Sequence, residues 1–261
     1  MAHGKKTARF NFLGTGTSTG VPVAGCDCPV CRSTDPHDTR FRSSALVTHG
    51  KYNLVIDTGP DFRSQALRAN IMHLNAVLLT HGHADHVFGF DDIRAYSLFK
   101  KKTLPVFSAR DTLDSIRRRF DYIWNAVQIG GGLPDVALFP VDKPFVAGGM
   151  TITPIPILHG KLPILGYRIG DLAYMTDISS LPDSAVPLLE NLGTMVISCV
   201  RRRIHRTHLT IRDAIRMHNR IAPRQTILTH LTHYLSHKEW IAACSDNMLP
   251  AYDGMTIEIA L

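Results

Sequence analysis

The segment Thr80, His81, Gly82, His83, Ala84, Asp85, His86 sets four metal-ligating side chains within six consecutive positions, directly after the apolar stretch Ala76 to Leu79. In a continuing strand, successive side chains point to opposite faces, and these groups could not converge. A strand that ends at Leu79 and opens into a compact loop lets the imidazoles and the carboxylate meet around ions. Local loop capping explains so dense a set poorly. The chain is therefore expected to fold so that a strand end becomes a reaction centre. The chemistry such a set supports is a hydroxide generated at neutral pH and aimed at phosphorus or a carbonyl carbon.

Three later residues repeat the placement. His159 follows the apolar run Ile152 to Leu158, Asp177 follows a strand ending near Met175, and His230 follows one ending near Thr229. On this reading His81 and His83 serve one ion, Asp85 and His86 serve a second, and Asp177 bridges the two. Imidazole and carboxylate donors suit zinc, manganese or iron.

A second constellation has softer chemistry. Cys26, Cys28 and Cys31 form a CxCxxC cluster, three thiolates that need one more ligand to close a tetrahedral zinc. His233, three residues beyond His230, is the candidate, and the closed site would staple the opening loop to the segment after a late strand. The odd total of five cysteines argues against a disulfide framework, and Cys199 and Cys244 read as core residues.

The length, 261 residues, with 44% apolar residues, supports a substantial core. A single domain over residues 1–261 is expected, with the Cys-rich loop at about residues 20–34, because the Gly130 to Gly132 run is too short for a flexible tether. No apolar stretch is long enough to cross a bilayer. Met1 to Lys6 is polar and is followed by no signal-peptide pattern, so a cytoplasmic location is expected. The formal net charge of +7 favours anionic substrates. Most basic residues are dispersed, and the short runs Lys100 to Lys102, Arg117 to Arg119 and Arg201 to Arg203 read first as solvated faces.

Strands are expected at Phe10 to Leu13, Ser44 to Val47, Tyr52 to Ile56, Ile71 to Leu79, Leu104 to Phe107, Met150 to Ile157, Tyr167 to Ile169 and Leu172 to Met175, with hairpins at His49-Gly50 and Gly170-Asp171. Helices are expected at Asp61 to Asn70, Ala109 to Tyr122, Pro182 to Asn191, Thr210 to Asn219 and Ser236 to Ser245. The last third alternates strand and helix, with strands at Met195 to Cys199, Thr226 to Thr229 and Met255 to Ile259. Direct hairpin returns mixed with helices predict an α/β fold of two packed sheets covered outside by helices. Gly14, Gly16 and Gly20 follow a strand, but Thr17 to Val23 opens no helix, so they are read as a tight loop beside the centre and not as a dinucleotide site.

Thr80 to His86 resembles the HxHxDH signature of the metallo-β-lactamase superfamily, and His159, Asp177 and His230 resemble its further ligands in order and spacing. The resemblance implies the αββα four-layer sandwich, two mixed β sheets flanked by helices. Phe12 to Pro22, the three cysteines and Leu228 to His233 are similar to the PhnP-like phosphodiesterase family. That resemblance implies a binuclear metal-dependent phosphodiesterase with two catalytic divalent ions, manganese or zinc, and one structural zinc on Cys26, Cys28, Cys31 and His233. It also implies a small anionic cyclic phosphodiester as substrate, with 5-phosphoribosyl 1,2-cyclic phosphate as the best match. The product would be ribose 1,5-bisphosphate, as in phosphonate metabolism, formed by attack of a metal-bridging hydroxide.

The departing sugar oxygen needs a proton. His208 is the expected donor and His205 its rival, with Asp85 counted among the catalytic groups as well as the ligands. Arg203 or Arg206 could meet a terminal phosphate, and Asp57 and Asp61 could orient histidines or cap loops. The alternatives are an RNA-processing endoribonuclease resembling the transfer-RNA 3′ processing enzyme, a phosphodiesterase acting on 2′,3′-cyclic nucleotides, and a metal-binding scaffold without catalysis. The long basic arm that RNA binding would use is not evident, so nucleic acid is the weaker partner. The ligand types do not decide manganese against zinc. Symmetry prevalence makes a homodimer a reasonable assembly.

Overall fold

Alternation of side chains along the central strands sorts them between layers. In the strand Tyr52–Ile56, Leu54 and Ile56 face one core while Val55 faces another, and in the adjoining parallel strand Ala76 and Leu78 divide from Val77 in the same way. A strand buried on both faces needs cover on both, which a second sheet and a helical layer provide. The computed structural model describes residues 6–125, 132–201 and 207–261. Gly130, Gly131, Arg202, Arg203, His205 and Arg206, all singled out above, lie outside the described residues.

The strands run β1 (Thr7–Gly14), β2 (Ser44–His49), β3 (Tyr52–Ile56), β4 (Ala76–Leu78), β5 (Leu104–Ser108), β6 (Val136–Pro140), β7 (Phe145–Ala147), β8 (Met150–His159), β9 (Leu162–Ile169), β10 (Leu172–Met175), β11 (Thr194–Ser198), β12 (Gln225–Thr229), β13 (Met248–Pro250) and β14 (Thr256–Ala260). They form two seven-stranded sheets, ordered β14-β1-β2-β3-β4-β5-β6 and β13-β12-β11-β10-β9-β8-β7. In the first sheet β14, β1, β2 and β3 pair antiparallel and β3 to β6 pair parallel. In the second, β7 to β10 pair antiparallel and β10 to β13 pair parallel, the same scheme.

The helices are α1 (Phe62–Arg68), α2 (Ala84–Val87), α3 (Arg94–Lys100), α4 (Arg110–Arg119), α5 (Ile211–Ile221) and α6 (His237–Ala243). Phe10, Ile56, Leu78, Ile152, Tyr167 and Ile227 build the core between the sheets. Phe62 of α1 with Leu113 and Ile116 of α4 cover the first sheet outside, and Met217 of α5 with Trp240 of α6 cover the second. This is the αββα sandwich expected from the sequence. Among the described residues no helix is long and apolar enough to cross a membrane.

Several expectations need correction. The strand expected over Ile71 to Leu79 is confined to β4, because the Ile71 N–H donates to the Ala66 carbonyl and the chain is still leaving α1 there. The helix expected over Pro182 to Asn191 is a 3-10 stretch, Asp183–Leu189, with Pro187 inside it. Proline removes the N–H an α-helix would need and crowds the preceding turn. The strand expected over Tyr167 to Ile169 extends back to Leu162, since β8 and β9 form a hairpin about Gly160, which takes φ 62°. Met255 to Ile259 falls largely in β14, which returns to β1 of the first sheet and does not continue the late alternation. Thr210 and Ser236 both complete capping boxes, with Asp213 and Glu239 respectively.

Candidate metal centre

The parallel strands of both sheets end at one edge of the sandwich, and the first residues after them carry the polar groups. Asp57 follows β3, His81 follows β4, Asp177 follows β10 and His230 follows β12, while His159 is the last residue of β8. Asp57, Asp177 and His230 take left-handed backbone, at φ 64°, 57° and 57°. A non-glycine residue there costs about 1 kcal/mol or more and persists only where the surroundings enforce it. The turn ends the extended run at once and lets the three side chains leave their sheets sideways toward one another. Nothing in the sequence signalled it.

His81, His86 and Asp177 bring one donor atom each within 4.8 Å of one another, as do Asp85, His86 and His230, and His159, Asp177 and His208. Asp177 is the hub. Its carboxylate oxygens lie 3.1 Å from His86 Nε2 and 3.2 Å from His230 Nε2, with His208 Nδ1 at 3.6 Å. Asp85 stands 3.3 Å from His86 Nε2 and 3.8 Å from His230 Nε2. His83 belongs to none of these triads, but its ring packs 4.5 Å from that of His81 and 5.2 Å from that of His159. The structure thus brings together the seven ligand candidates and His208.

The outer nitrogens of the rings are held. His86 Nδ1 lies 2.7 Å from Asp57, whose carboxylate also accepts from the backbone N–H and hydroxyl of Thr80, each at 2.8 Å. His159 Nδ1 is 2.8 Å from the Thr207 carbonyl oxygen. Fixing one ring nitrogen sets which way the other points, the arrangement that supports ligand histidines. Asp57 therefore orients a histidine, as anticipated, whereas Asp61 does not. Asp61 accepts instead from the Arg42 backbone N–H and guanidinium, both at 2.8 Å. Glycine at 59 lets the β3 exit approach α2, since a Cβ there would collide with the Asp85 carbonyl.

Burial opposes protonation of His86, yet the Asp177 and Asp57 carboxylates hold its imidazole well above the usual range. Burial likewise disfavours the Asp177 carboxylate, but His230 and His86 hold it well below its ordinary value. Burial is the main cause that drives His81 and His83 down, and neighbouring imidazoles add to it. The cage is built to keep its carboxylates charged and to gather positive charge around them. His81 Nε2, His86 Nε2 and His230 Nε2 are buried without a hydrogen bond of acceptable geometry among the described residues. Buried nitrogens without such bonds are costly unless something else satisfies them. With mixed N and O donors, the set fits a pair of divalent ions.

The second centre is separate. The Sγ atoms of Cys26, Cys28 and Cys31 each lie 3.4 Å from His233 Nδ1. A tetrahedral zinc with ordinary bond lengths places sulfur and nitrogen roughly 3.5 Å apart. The four residues meet that requirement and form a Cys3His metal site. All five cysteines are free of disulfides. The Cys31 N–H holds the Cys28 thiol down to about 6, while burial pushes the Cys31 thiol up to about 11.

Residues 52–231 match the model of the beta-lactamase superfamily domain. A crystal structure described as a new diphosphatase from the PhnP family superposes with a TM-score of 0.91 at 36% identity, covering 98% of this chain and 99% of that one. Zinc-bound PqqB from Methylobacterium extorquens superposes with a TM-score of 0.77 at 17% identity, covering 95% of this chain and 99% of that one, a likeness of fold. Among curated sequences, an octanoyltransferase of Porphyromonas gingivalis is 41% identical over 252 residues, 95% of this chain and 51% of that protein. Coenzyme PQQ synthesis protein B of Methylobacterium nodulans is 29% identical over 169 residues, 59% of this chain and 53% of that protein. The matched regions thus span about half the length of these curated relatives.

Proposed function

This chain belongs to the beta-lactamase superfamily and to its PhnP family, a metal-dependent hydrolase, and on that premise we propose that it hydrolyses a small cyclic phosphodiester. The best candidate is 5-phosphoribosyl 1,2-cyclic phosphate, opened to ribose 1,5-bisphosphate. The observation that carries this reading is the position of His208, whose Nδ1 is 3.6 Å from the hub carboxylate Asp177 while its ring also lines an adjoining cavity.

Two divalent ions held by His81, His83, Asp85, His86, His159, Asp177 and His230 would neutralise phosphate charge and lower the pKa of a bound water. The chain's own residues do the rest. Asp177 ties the two halves of the cage, since both of its carboxylate oxygens face histidines. Asp57 fixes His86, and the Thr207 carbonyl fixes His159. His208, as an imidazolium, donates its proton to the departing sugar oxygen as negative charge develops there.

A second reading has its own support. The PhnP-family structure is described as a diphosphatase, so a disubstituted diphosphate is the alternative substrate class. The test is turnover by the manganese- and zinc-loaded protein of a panel holding 5-phosphoribosyl 1,2-cyclic phosphate, 2′,3′-cyclic nucleotides, a dinucleoside diphosphate and a transfer-RNA precursor. Preferential opening of the first supports the proposal. Preference for the diphosphate replaces it, and preference for RNA with a steep salt dependence restores the processing-nuclease alternative.

A further inference from the structure

Of the run Arg117 to Arg119, which reads along the chain as a solvated face, two members make specific contacts. Arg117 lies over the Trp124 ring, 5.4 Å from its centre. Arg119, the last residue of α4, turns to the metal loop. Its guanidinium donates to the carbonyl of Gly82, between His81 and His83, and lies over the Phe88 ring at 5.5 Å. One cation therefore meets both ends of the stretch that carries His83, Asp85 and His86. The neighbouring residues follow the same line. A Cβ at Gly82 would come within 3.3 Å of Ser115 Oγ, one turn before Arg119, and beyond the helix the Tyr122 hydroxyl donates to Asp91. Phe120 packs edge to face against Phe88 and 5.4 Å from Phe90. Residues four apart share a helix face, so Ser115 and Arg119 form one stripe against the loop.

The ligand beside this contact lacks the support its neighbours have. His81 Nδ1 lies 3.0 Å from the Thr80 hydroxyl, while Asp57 holds His86 and the Thr207 carbonyl holds His159. Among the described residues the His83 ring makes ring contacts with His81 and His159 but no hydrogen bond to protein, and it is exposed at the rim of the cage. His230 also lacks such a bond, but it is buried. His83 occupies the N-cap position of α2 with extended backbone and no side-chain cap, so its ring is directed by its backbone alone. The Gly82 carbonyl and the His83 N–H belong to one planar peptide unit. A donor that fixes the carbonyl fixes the plane from which the His83 side chain departs.

We propose that Arg119 is a positioning residue for the cage ligand His83: by holding the Gly82 carbonyl and resting on Phe88, it sets the backbone from which the imidazole reaches its ion. The proposal rests on the metal-centre reading and supplies the outer support of one ligand. What Asp57 does for His86 through the ring, Arg119 does for His83 through the main chain. Arg119 acts through His83, and the proton transfer stays with His208.

The test uses the full-length protein loaded with zinc. Competition with a chelator resolves the affinity of each ion, and heteronuclear amide spectra follow the His83 N–H. Arg119→Gln is expected to weaken one of the two cage ions by ~10-fold, the lower end for loss of a ligand's outer support, while the other cage ion and the thiolate-bound ion hold within about 3-fold. A merely structural role would weaken both cage ions together. The His83 amide resonance is expected to shift, because the carbonyl of its peptide unit has lost a charged donor. Phe88→Leu, at an exposed position, removes the ring under the guanidinium and is expected to weaken the same ion by about 2- to 5-fold, and it serves if the glutamine variant folds poorly. Unchanged affinity in Arg119→Gln, or an equal loss from both cage ions, overturns the proposal. If wild type takes up no cage ions, the metal-centre reading fails, while an unmoved His83 amide still overturns the positioning role and a shifted one still supports it.

Discussion

The two metal sites of this protein meet within one short stretch, where His230 belongs to the buried cage and His233 to the Cys3His site. The cage draws its donors from the ends of strands in both sheets and is enclosed at its centre, where His86 and Asp177 are buried, while His83 at its rim is exposed. The Cys3His site draws three donors from one loop and lies half exposed. Hard and borderline donors buried together, with neighbouring carboxylates, suit ions that do chemistry. Soft thiolates that close a tetrahedron suit an ion that holds a loop in place. The cage can exist only after both sheets have packed, whereas the thiolate site needs one loop and one turn.

That contrast can be broken most sharply at Asp177. Asp177→Asn is expected to lower kcat/KM by on the order of 10³-fold or more and to empty the cage, because it removes the charge facing His86 and His230. Metal analysis should still find the thiolate-bound ion. Loss of every metal at once would mean that the two sites are a single cooperative unit.

A smaller effect separates ligand from acid. His208→Gln is expected to reduce kcat by ~10²- to 10³-fold with the cage metals retained. Loss of metal in that variant would make His208 a ligand. Next comes Asp57→Asn, which weakens the orientation of His86 and is expected to cost ~10- to 100-fold in cage metal affinity, measured by competition with a chelator. An unchanged affinity would show that packing alone positions the ring.

The thiolate site should respond most mildly, and to acid. Because the Cys31 thiol is pushed up to about 11 by burial, metal binding there must expel a proton. The sign follows: lowering the pH returns the proton and weakens the ion's hold, by roughly tenfold per pH unit for each proton displaced. Zinc release followed with a colorimetric chelator from about pH 8 to about pH 6 checks it. The Cys28 thiol, held down to about 6, is largely ionised above that pH and adds its own proton only at the acid end of the titration.

Much of this contrast was readable along the chain. The ligand types at 81, 83, 85 and 86, and the cysteine spacing at 26, 28 and 31, point to two different chemistries, because donor softness belongs to the residue itself. Residues 84–87 form a turn of helix, and residues 71–75 form none of the expected strand, since short apolar runs do not distinguish such states without their neighbours. Residues 136–140 were not anticipated as a strand, though they pair with β5. The support that Arg119 gives the metal loop was hidden as well. The run Arg117 to Arg119 reads as a solvated face, and which of its members meets Gly82 depends on how α4 packs on the first sheet.

The sequence by itself determined which atoms could bind metal, how soft they are, and that most of them stand at strand ends. Only the tertiary structure decided that Asp177 is the hub, that His208 joins cage to cavity, and that His233 turns to the cysteines while His230 turns to the cage. The physical reason is distance along the chain. Donor chemistry is local, but convergence needs two sheets to pack so that residues more than a hundred positions apart share one edge, with backbone strain at Asp57, Asp177 and His230 retained by that packing.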